Sequence, residues 1–199
     1  MDYNLVIICL SSYLIGSIPF AFIITKISGQ GDIRKIGSGN IGATNVLRTG
    51  NKYITALVLF FDILKGYVPT IVFANYFELN YNELTIYALG SLAILGHLFP
   101  IWLRFKGGKG VATYIGYIFA VNYILGVFFV FLWLFIAFLT KYSSLASIFS
   151  LIVVPFLMLF LSYKPSILLF FFIISILLII KHHSNIRRLI NKSESKINL

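Results

Sequence analysis

Two glycine-rich segments carry the residues whose types and spacing best suit phosphate chemistry. In the first, glycines stand on both sides of Ser38, at Gly37 and Gly39, and allow a ligand to approach the backbone closely. Asn40 is placed to cap a helix that begins near Ile41. The free amide groups at the start of such a helix would attract an anion.

The residues after this cap extend the same pattern. In a helix, Thr44, Asn45 and Arg48 would share one face through i+3 and i+4 spacing. A guanidinium one to two turns after free amide groups suits a phosphate. The plain alternative is a glycine-rich turn with a helix cap, and this short string alone favours neither reading over the other.

The second segment gives the sharper signal, because it runs directly into an apolar helix that starts at Val111. Its five residues are Lys106, Gly107, Gly108, Lys109 and Gly110. Consecutive backbone amides, a helix N-terminus and two lysines would converge there. A flexible basic turn would explain the lysines but not three glycines within four residues. The spacing of a nucleotide P-loop is missing, so we expect a phosphate but not a nucleotide.

A third polar segment ends the last apolar run, from Lys181 to Arg188. His182 and Asn185 are three residues apart and would lie on one helical face, where they could join the other two segments. Taken alone, this segment is typical of a basic helix end anchored at anionic lipid.

Three ionisable residues fall within or near apolar runs, where such groups usually have a function. Asp62 and Lys65, at i and i+3, are expected to pair with each other and support the helix bundle. His97 is either a ligand contact or a packed, hydrogen-bonded histidine.

Several arrangements used in catalysis are missing. His97 has Trp102 five residues on, so the HxxxxD arrangement of many acyltransferases is absent, and no Ser-His-Asp set, HExxH motif or carboxylate pair replaces it. Cys9 is the only cysteine, which excludes a disulfide framework and a thiolate zinc site. We therefore expect no metal or other cofactor, and a chemistry based on anion positioning and charge neutralisation.

The elements that must position these residues are membrane helices. Hydrophobic residues make up 59% of the 199 positions and charged residues only 11%, which points to lipid as the main solvent. We predict an all-α fold with seven spans, at Tyr3–Thr25, Tyr53–Tyr76, Glu83–Leu103, 111–121, 123–140, Ser144–Leu161 and Ser166–Lys181. Fusing the fourth with the fifth span and the sixth with the seventh would give five.

The distribution of charge predicts the orientation. With the N-terminus outside and the C-terminus inside, seven spans place fourteen of the sixteen Lys and Arg residues in the cytoplasm. Lys164 is then external, as are Asp2, Glu78 and Glu83. The whole chain, 1–199, is predicted to be one membrane domain. Its cytoplasmic segments are expected at 26–52, 104–110, 141–143 and 182–199, with the polar part of the tail, Arg187 to Leu199, frayed or interfacial.

The chain resembles a known family, the bacterial acyl-phosphate-dependent glycerol-3-phosphate acyltransferases or PlsY family. The resemblance covers nearly the whole chain and is carried by Tyr13–Pro19, Gly37–Arg48, Asp62–Gly66, Gly96–His97, Phe105–Ala112 and His182–Ile186. It implies a seven-span enzyme of the bacterial inner membrane with its active site facing the cytoplasm. The implied reaction moves an acyl group from acyl phosphate to the 1-hydroxyl of glycerol 3-phosphate, giving lysophosphatidic acid and inorganic phosphate, the first step of phospholipid synthesis.

The resemblance also implies roles for single residues. Ser38, Arg48, His182 and Asn185 match family active-site positions and are expected to hold glycerol 3-phosphate and aim its hydroxyl, while the glycine loop with Lys109 would hold one phosphate and stabilise the leaving group. The third segment departs from the family pattern, in which arginines stand where this chain has Lys181 and His183. The departure weakens any role for those flanking charges.

Two other classes of protein remain as alternatives. A transporter would place its coordinating groups near the midplane of the membrane, and a lipid-binding subunit would contact headgroups without turnover. The expected partners are glycerol 3-phosphate, acyl phosphate and membrane lipid, without nucleic acid, and the expected oligomeric state is a monomer.

Overall fold

All regular secondary structure in the described part of the chain is helical. The computed structural model describes residues 3–77 and 83–197 and contains no β-strand within them. The described residues form ten α-helices: α1 (Tyr3–Ser17), α2 (Phe20–Ile27), α3 (Ala43–Leu47), α4 (Lys52–Phe77), α5 (Glu83–Leu98), α6 (Val111–Val121), α7 (Tyr123–Thr140), α8 (Ser143–Phe160), α9 (Pro165–Lys181) and α10 (His183–Ile190). The predicted positions of Asp2 and Glu78 lie outside the described residues.

Three described helices are long and apolar enough to cross a membrane: α4 through its Lys52–Val72 part, α7 and α8. Two bent pairs, α1 with α2 and α9 with α10, raise this number to five if each pair is one span. The predicted all-α class is confirmed for the described residues. The number of seven spans stays a prediction.

Prolines divide two of the predicted spans. The run predicted as a single helix over Tyr3–Thr25 is two helices bent by 43°, because Pro19 has no amide proton to continue the hydrogen-bond ladder. The run predicted over Glu83–Leu103 ends as an α-helix at Leu98 and resumes after Pro100 as a 3₁₀ turn, Ile101–Leu103. The predicted break at Asn122 is confirmed, since its extended backbone (φ −157°, ψ 115°) separates α6 from α7.

The described residues up to Tyr123 form one compact unit and those from Ile124 onward form a second. In the first unit α4 packs on α5 and α6, and α1 packs on α5. Glycines make the α4–α6 contact close: a Cβ on Gly66 would lie 2.0 Å from the Thr113 carbonyl oxygen, and one on Gly116 would lie 1.9 Å from that of Ile63. Small residues at such crossings are the usual means of close helix packing in membranes.

In the second unit the chain folds back after α10. The Ile197 amide donates to the Lys141 carbonyl oxygen at 2.8 Å, and the Ile197 side chain is buried in a cluster with Ala137 and Ala146. Of the two predicted alternatives for the tail, frayed or interfacial, the frayed one is therefore wrong as far as Ile197. Ile197 is an apolar residue within this polar tail, and it packs against α7 and α8.

Candidate active site

One buried amide organises the first glycine-rich segment. Asn45 is 1% exposed, and its Oδ1 accepts from the Ser38 backbone amide at 2.9 Å and from the Ser38 hydroxyl at 3.2 Å. Its Nδ2 lies 2.9–3.1 Å from three carbonyl oxygens, those of Ile33, Ile36 and Asn40. The hydrogen bonds of Asn45 thus connect Ser38 to the backbone at Ile33, Ile36 and Asn40, and its side-chain amide lies inside the loop.

The predicted helix in this segment is shorter than expected and begins later. It starts at Ala43 with Gly42 as its N-cap, and no side chain caps it. The prediction of Asn40 as cap and of a helix from Ile41 is wrong. The Asn40 side chain lies beside Gly42 instead, since a Cβ on that glycine would be 3.1 Å from Asn40 Nδ2.

Arg48 returns over the start of the same segment. It is exposed, and a Cβ added to Gly37 would lie 2.9 Å from Arg48 Cδ and 2.5 Å from Asn45 Oδ1. Gly37 also has φ +56°, a backbone region that glycine adopts without strain. The guanidinium and Ser38 are therefore on adjoining parts of one loop. Thr44, one turn before Arg48, is half-buried.

The second segment packs against the first. Gly108 is buried, and a Cβ there would lie 2.5 Å from the Ile41 carbonyl oxygen and 2.2 Å from His97 Nε2. The Gly108 amide donates to the His97 carbonyl oxygen at 3.1 Å. Gly107 has equally little space, since an added Cβ would lie 2.1 Å from the same His97 carbonyl oxygen. These glycines are required for close approach.

Gly110 completes the turn into α6. It is the N-cap of that helix in a left-handed conformation (φ 81°), and its carbonyl oxygen accepts from the Tyr114 amide at 2.8 Å. The amides of the first helical turn then have no acceptor within the helix, as at any helix start. Lys109 is half-buried and Lys106 is exposed at this end, so the predicted coincidence of glycines, helix start and lysines is present.

A buried ionic cluster lies under the glycine loop. Lys65 Nζ is 2.8 Å from Asp62 Oδ1 and donates to the Ile18 carbonyl oxygen at 2.9 Å, so the predicted pair is confirmed. His97 Nδ1 is 3.7 Å from the same carboxylate. These residues line a narrow cleft, partly open to solvent, together with Gly107 and Gly108.

The third segment is built around a carboxylate that the sequence analysis missed. Glu194 accepts hydrogen bonds from Asn185 Nδ2 at 2.7 Å, Ser144 Oγ at 2.8 Å and Arg188 Nε at 2.6 Å. Burial acts to raise the pKa of the Glu194 carboxyl, but the hydrogen bonds from these three residues outweigh it and the pKa is lowered. Glu194 is the only acidic residue after Glu83. This isolation is the sequence feature that could have indicated a structural role.

Asn185 and His182, the two predicted site residues of this segment, are both buried. Asn185 is 5% exposed, and its Oδ1 has no hydrogen-bond partner among the described residues. His182 is buried, with Nδ1 2.8 Å from the Leu178 carbonyl oxygen. That nitrogen therefore carries the proton in the neutral ring, which leaves Nε2 as an acceptor.

The predicted site residues therefore fall into two groups. The first unit contains Ser38, Gly39, Asn40, Thr44, Asn45, Arg48, Lys106, Gly107, Gly108, Lys109, Gly110, Asp62, Lys65 and His97. The second unit contains His182 and Asn185. The convergence of all three segments on one pocket stays a prediction, as do the catalytic and binding roles.

Comparison with known proteins identifies the family. The model of the glycerol-3-phosphate acyltransferase family matches residues 6–192. The chain belongs to this family.

Relatives of the family align over nearly their whole length. A glycerol-3-phosphate acyltransferase of Mesorhizobium japonicum is 47% identical over 197 residues, covering 99% of this chain and 98% of the relative. One from Pelagibacter ubique is 48% identical over 197 residues, covering 98% of both.

Solved structures of the family have the same fold. The crystal structure of PlsY (YgiH), an integral membrane glycerol 3-phosphate acyltransferase, in its glycerol 3-phosphate form matches with a TM-score of 0.91 and 36% identity, covering 98% of this chain and 96% of that one. The lysophosphatidic acid form matches with a TM-score of 0.88 and 35% identity over the same shares. The resemblance to PlsY is thus confirmed, and this chain is an integral membrane protein of the PlsY type.

Proposed function

We propose that this chain transfers an acyl group from acyl phosphate to the 1-hydroxyl of glycerol 3-phosphate, the first step of phospholipid synthesis. The products are lysophosphatidic acid and inorganic phosphate. The observation that carries this proposal is the contact of the two glycine-rich segments, at Gly108 and Ile41, in a chain of the glycerol-3-phosphate acyltransferase family. Two adjoining anion-binding segments suit a reaction in which both substrates carry a phosphate.

The first segment is proposed to bind glycerol 3-phosphate. Ser38 and the Arg48 guanidinium lie on adjoining parts of the loop and supply a hydroxyl and a forked cation for the phosphate oxygens. Gly39, Asn40 and Thr44 line the same loop. Asn45 has a supporting role, because all its polar contacts lie within the loop.

The glycine loop is proposed to bind the phosphate of the acyl donor. Its backbone amides, the start of α6 and the two lysines would neutralise charge on the leaving phosphate as it develops. Asp62, Lys65 and His97 support this loop from below, since His97 contacts Gly108 directly.

His182 and Asn185 are proposed to aim the attacking hydroxyl. The hydroxyl would donate to His182 Nε2 or to the unpartnered Asn185 Oδ1. Its oxygen then attacks the carbonyl carbon of the acyl phosphate, the bond from that carbon to the phosphate oxygen breaks, and the phosphate leaves with the electron pair. The hydroxyl proton ends on the phosphate. Because acyl phosphate is already an activated donor, the reaction needs no strong base.

For the topology, we propose seven spans with the N-terminus outside and the active site on the cytoplasmic side of the bacterial inner membrane. Charge segregation supports this orientation. At about 1.5 Å per residue, the eleven residues of α6 are only ~16 Å long, so the glycine loop would be recessed from the membrane surface. Irregular backbone at that depth is tolerated where protein buries it, which agrees with the burial of Gly108 and Gly110.

Turnover by the purified protein tests the proposal. In lipid nanodiscs with acyl phosphate and labelled glycerol 3-phosphate, the protein should form lysophosphatidic acid, and acyl-CoA should not replace the donor. Arg48→Ala and Lys109→Ala should each lower kcat/KM by roughly 100- to 1000-fold without changing the melting temperature. Lys35→Ala, at an exposed lysine outside the proposed site, is the matched control. Near-normal rates in either site variant would reject the assignment.

A further inference from the structure

The last helix has a face that the proposed chemistry does not use. α10 leaves α9 at an angle of 61°, and its inner side carries Asn185, which is buried against Glu194. Its outer side presents residues spaced at i, i+3, i+4, i+7 and i+8, which form one helical stripe. This outer stripe consists of His183, Ile186, Arg187, Ile190 and Asn191.

The outer stripe combines apolar and basic side chains at the protein surface. Its residues line a shallow groove that is largely open to solvent. Ile190 is 75% exposed, although it stands in a polar part of the sequence, and Arg187 is exposed beside it. An exposed isoleucine within one turn of an arginine fits a surface that is apolar on one side and anionic on the other.

The position of α10 indicates what covers the stripe. α9 is an apolar helix of seventeen residues, and a helix bent 61° from it lies closer to the membrane plane than to the membrane normal. The basic residues around α10, Lys181, Arg187, Arg188, Lys192 and Lys196, face only one acid in this part of the chain, Glu194. Interfacial helices combine these same properties.

We propose that the outer stripe of α10 lies in the headgroup layer and binds the phosphate of an anionic phospholipid. Arg187 contacts the phosphate, and Ile186 and Ile190 insert among the first carbons of the acyl chains. Because Arg188 and Asn185 hold Glu194 on the inner side of the same short helix, lipid on the outer side also braces the folded-back tail. The binding itself does not depend on the proposed catalytic activity.

A fluorescent label at position 190 tests this proposal. In a Cys9→Ser background, Ile190→Cys is labelled with an environment-sensitive dye and placed in nanodiscs of phosphatidylcholine with increasing phosphatidylglycerol. Quenching by lipids that carry a spin label near the headgroup should rise with the anionic fraction. Arg187→Gln should raise the anionic fraction needed for half-maximal quenching by about fivefold. Lys192→Gln, which removes the same charge off the stripe, should change it much less.

Three results would overturn the proposal. Emission and lipid quenching that are the same at every composition would mean that the stripe faces water. Equal effects of Arg187→Gln and Lys192→Gln would mean diffuse attraction without a site. Quenching that depends on having two protein copies per disc would make the occupant a second chain. Asn191→Cys provides an independent label on the stripe if the label at 190 disturbs folding.

Discussion

Replacing Asn45 with aspartate changes a single side-chain nitrogen to oxygen and should open the first glycine-rich segment. The Oδ1 contacts to Ser38 can persist in the variant. The second carboxylate oxygen, however, would face three carbonyl oxygens that lie 2.9–3.1 Å from Nδ2 in the native loop. Two donated protons are lost, and a negative charge is placed among acceptors at a site that is 1% exposed.

The size of the effect follows from these contacts. Each buried acceptor left without a donor costs about 1–3 kcal/mol, so the loop should be destabilised by at least ~2 kcal/mol before any charge repulsion is counted. A free-energy change of ~2 kcal/mol corresponds to roughly 30-fold in an equilibrium constant. Because the loop carries Ser38 and Arg48, we expect kcat/KM for glycerol 3-phosphate to fall by at least that factor.

Asn51→Asp is the matched control, with the same change of atoms and charge a few residues further on. Asn51 Oδ1 accepts from the Ile54 amide at 3.1 Å at the start of α4. Aspartate keeps that acceptor and adds a negative charge where the helix dipole favours one. Both variants would be compared in nanodiscs by turnover, melting temperature and hydrogen exchange of residues 33–48. If Asn45→Asp were as active and as protected as Asn51→Asp, the assigned role of Asn45 would be wrong.

Three further changes test other parts of the structure. Asp62→Asn should lower the free energy of unfolding by ~3–5 kcal/mol because it leaves Lys65 buried without its carboxylate. Adding Lys65→Met should recover part of this stability in a melting experiment. A double variant that is as unstable as Asp62→Asn alone would contradict the pairing. Gly116→Ala should lower the melting temperature, since its Cβ would meet the Ile63 carbonyl oxygen at 1.9 Å; an unchanged value would refute this packing. The folded-state pKa of Glu194 is below its ordinary value of 4.5, so its contacts stabilise the tail above that value and are lost as the pH falls through the lower folded-state pKa. The protection factors of residues 183–197 against hydrogen exchange should therefore fall on acidification in the native protein and be low at all pH values in Glu194→Gln; identical protection in both proteins would exclude the carboxylate as the anchor.

Helix positions could be predicted where apolar runs end at clear breaks. The division at Asn122 and the run of α9 follow from composition and length alone. The bend at Pro19 and the 3₁₀ turn after Pro100 were missed because hydropathy is continuous through both positions, although each proline removes a backbone donor. Neither hydropathy nor span length reflects this local constraint.

The residue types of the site could be predicted, but not its internal supports. Gly107, Gly108 and Lys109 stand out by type and spacing. Sequence spacing places Asn45 on the predicted ligand face with Thr44 and Arg48, because spacing does not show which way a short polar side chain faces. Glu194 was missed because it lies nine residues from Asn185, in a tail whose polar composition suggested no folded structure. Its isolation as a lone acid in a basic segment is the feature that sequence reasoning could have used.

The most direct test of the proposed reaction is the ratio of products formed by the purified protein in nanodiscs. With acyl phosphate and labelled glycerol 3-phosphate, the account predicts lysophosphatidic acid and inorganic phosphate in equal amounts, both lost together in Lys109→Ala. Phosphate release without lysophosphatidic acid, or lysophosphatidic acid formed equally well from acyl-CoA, would contradict it.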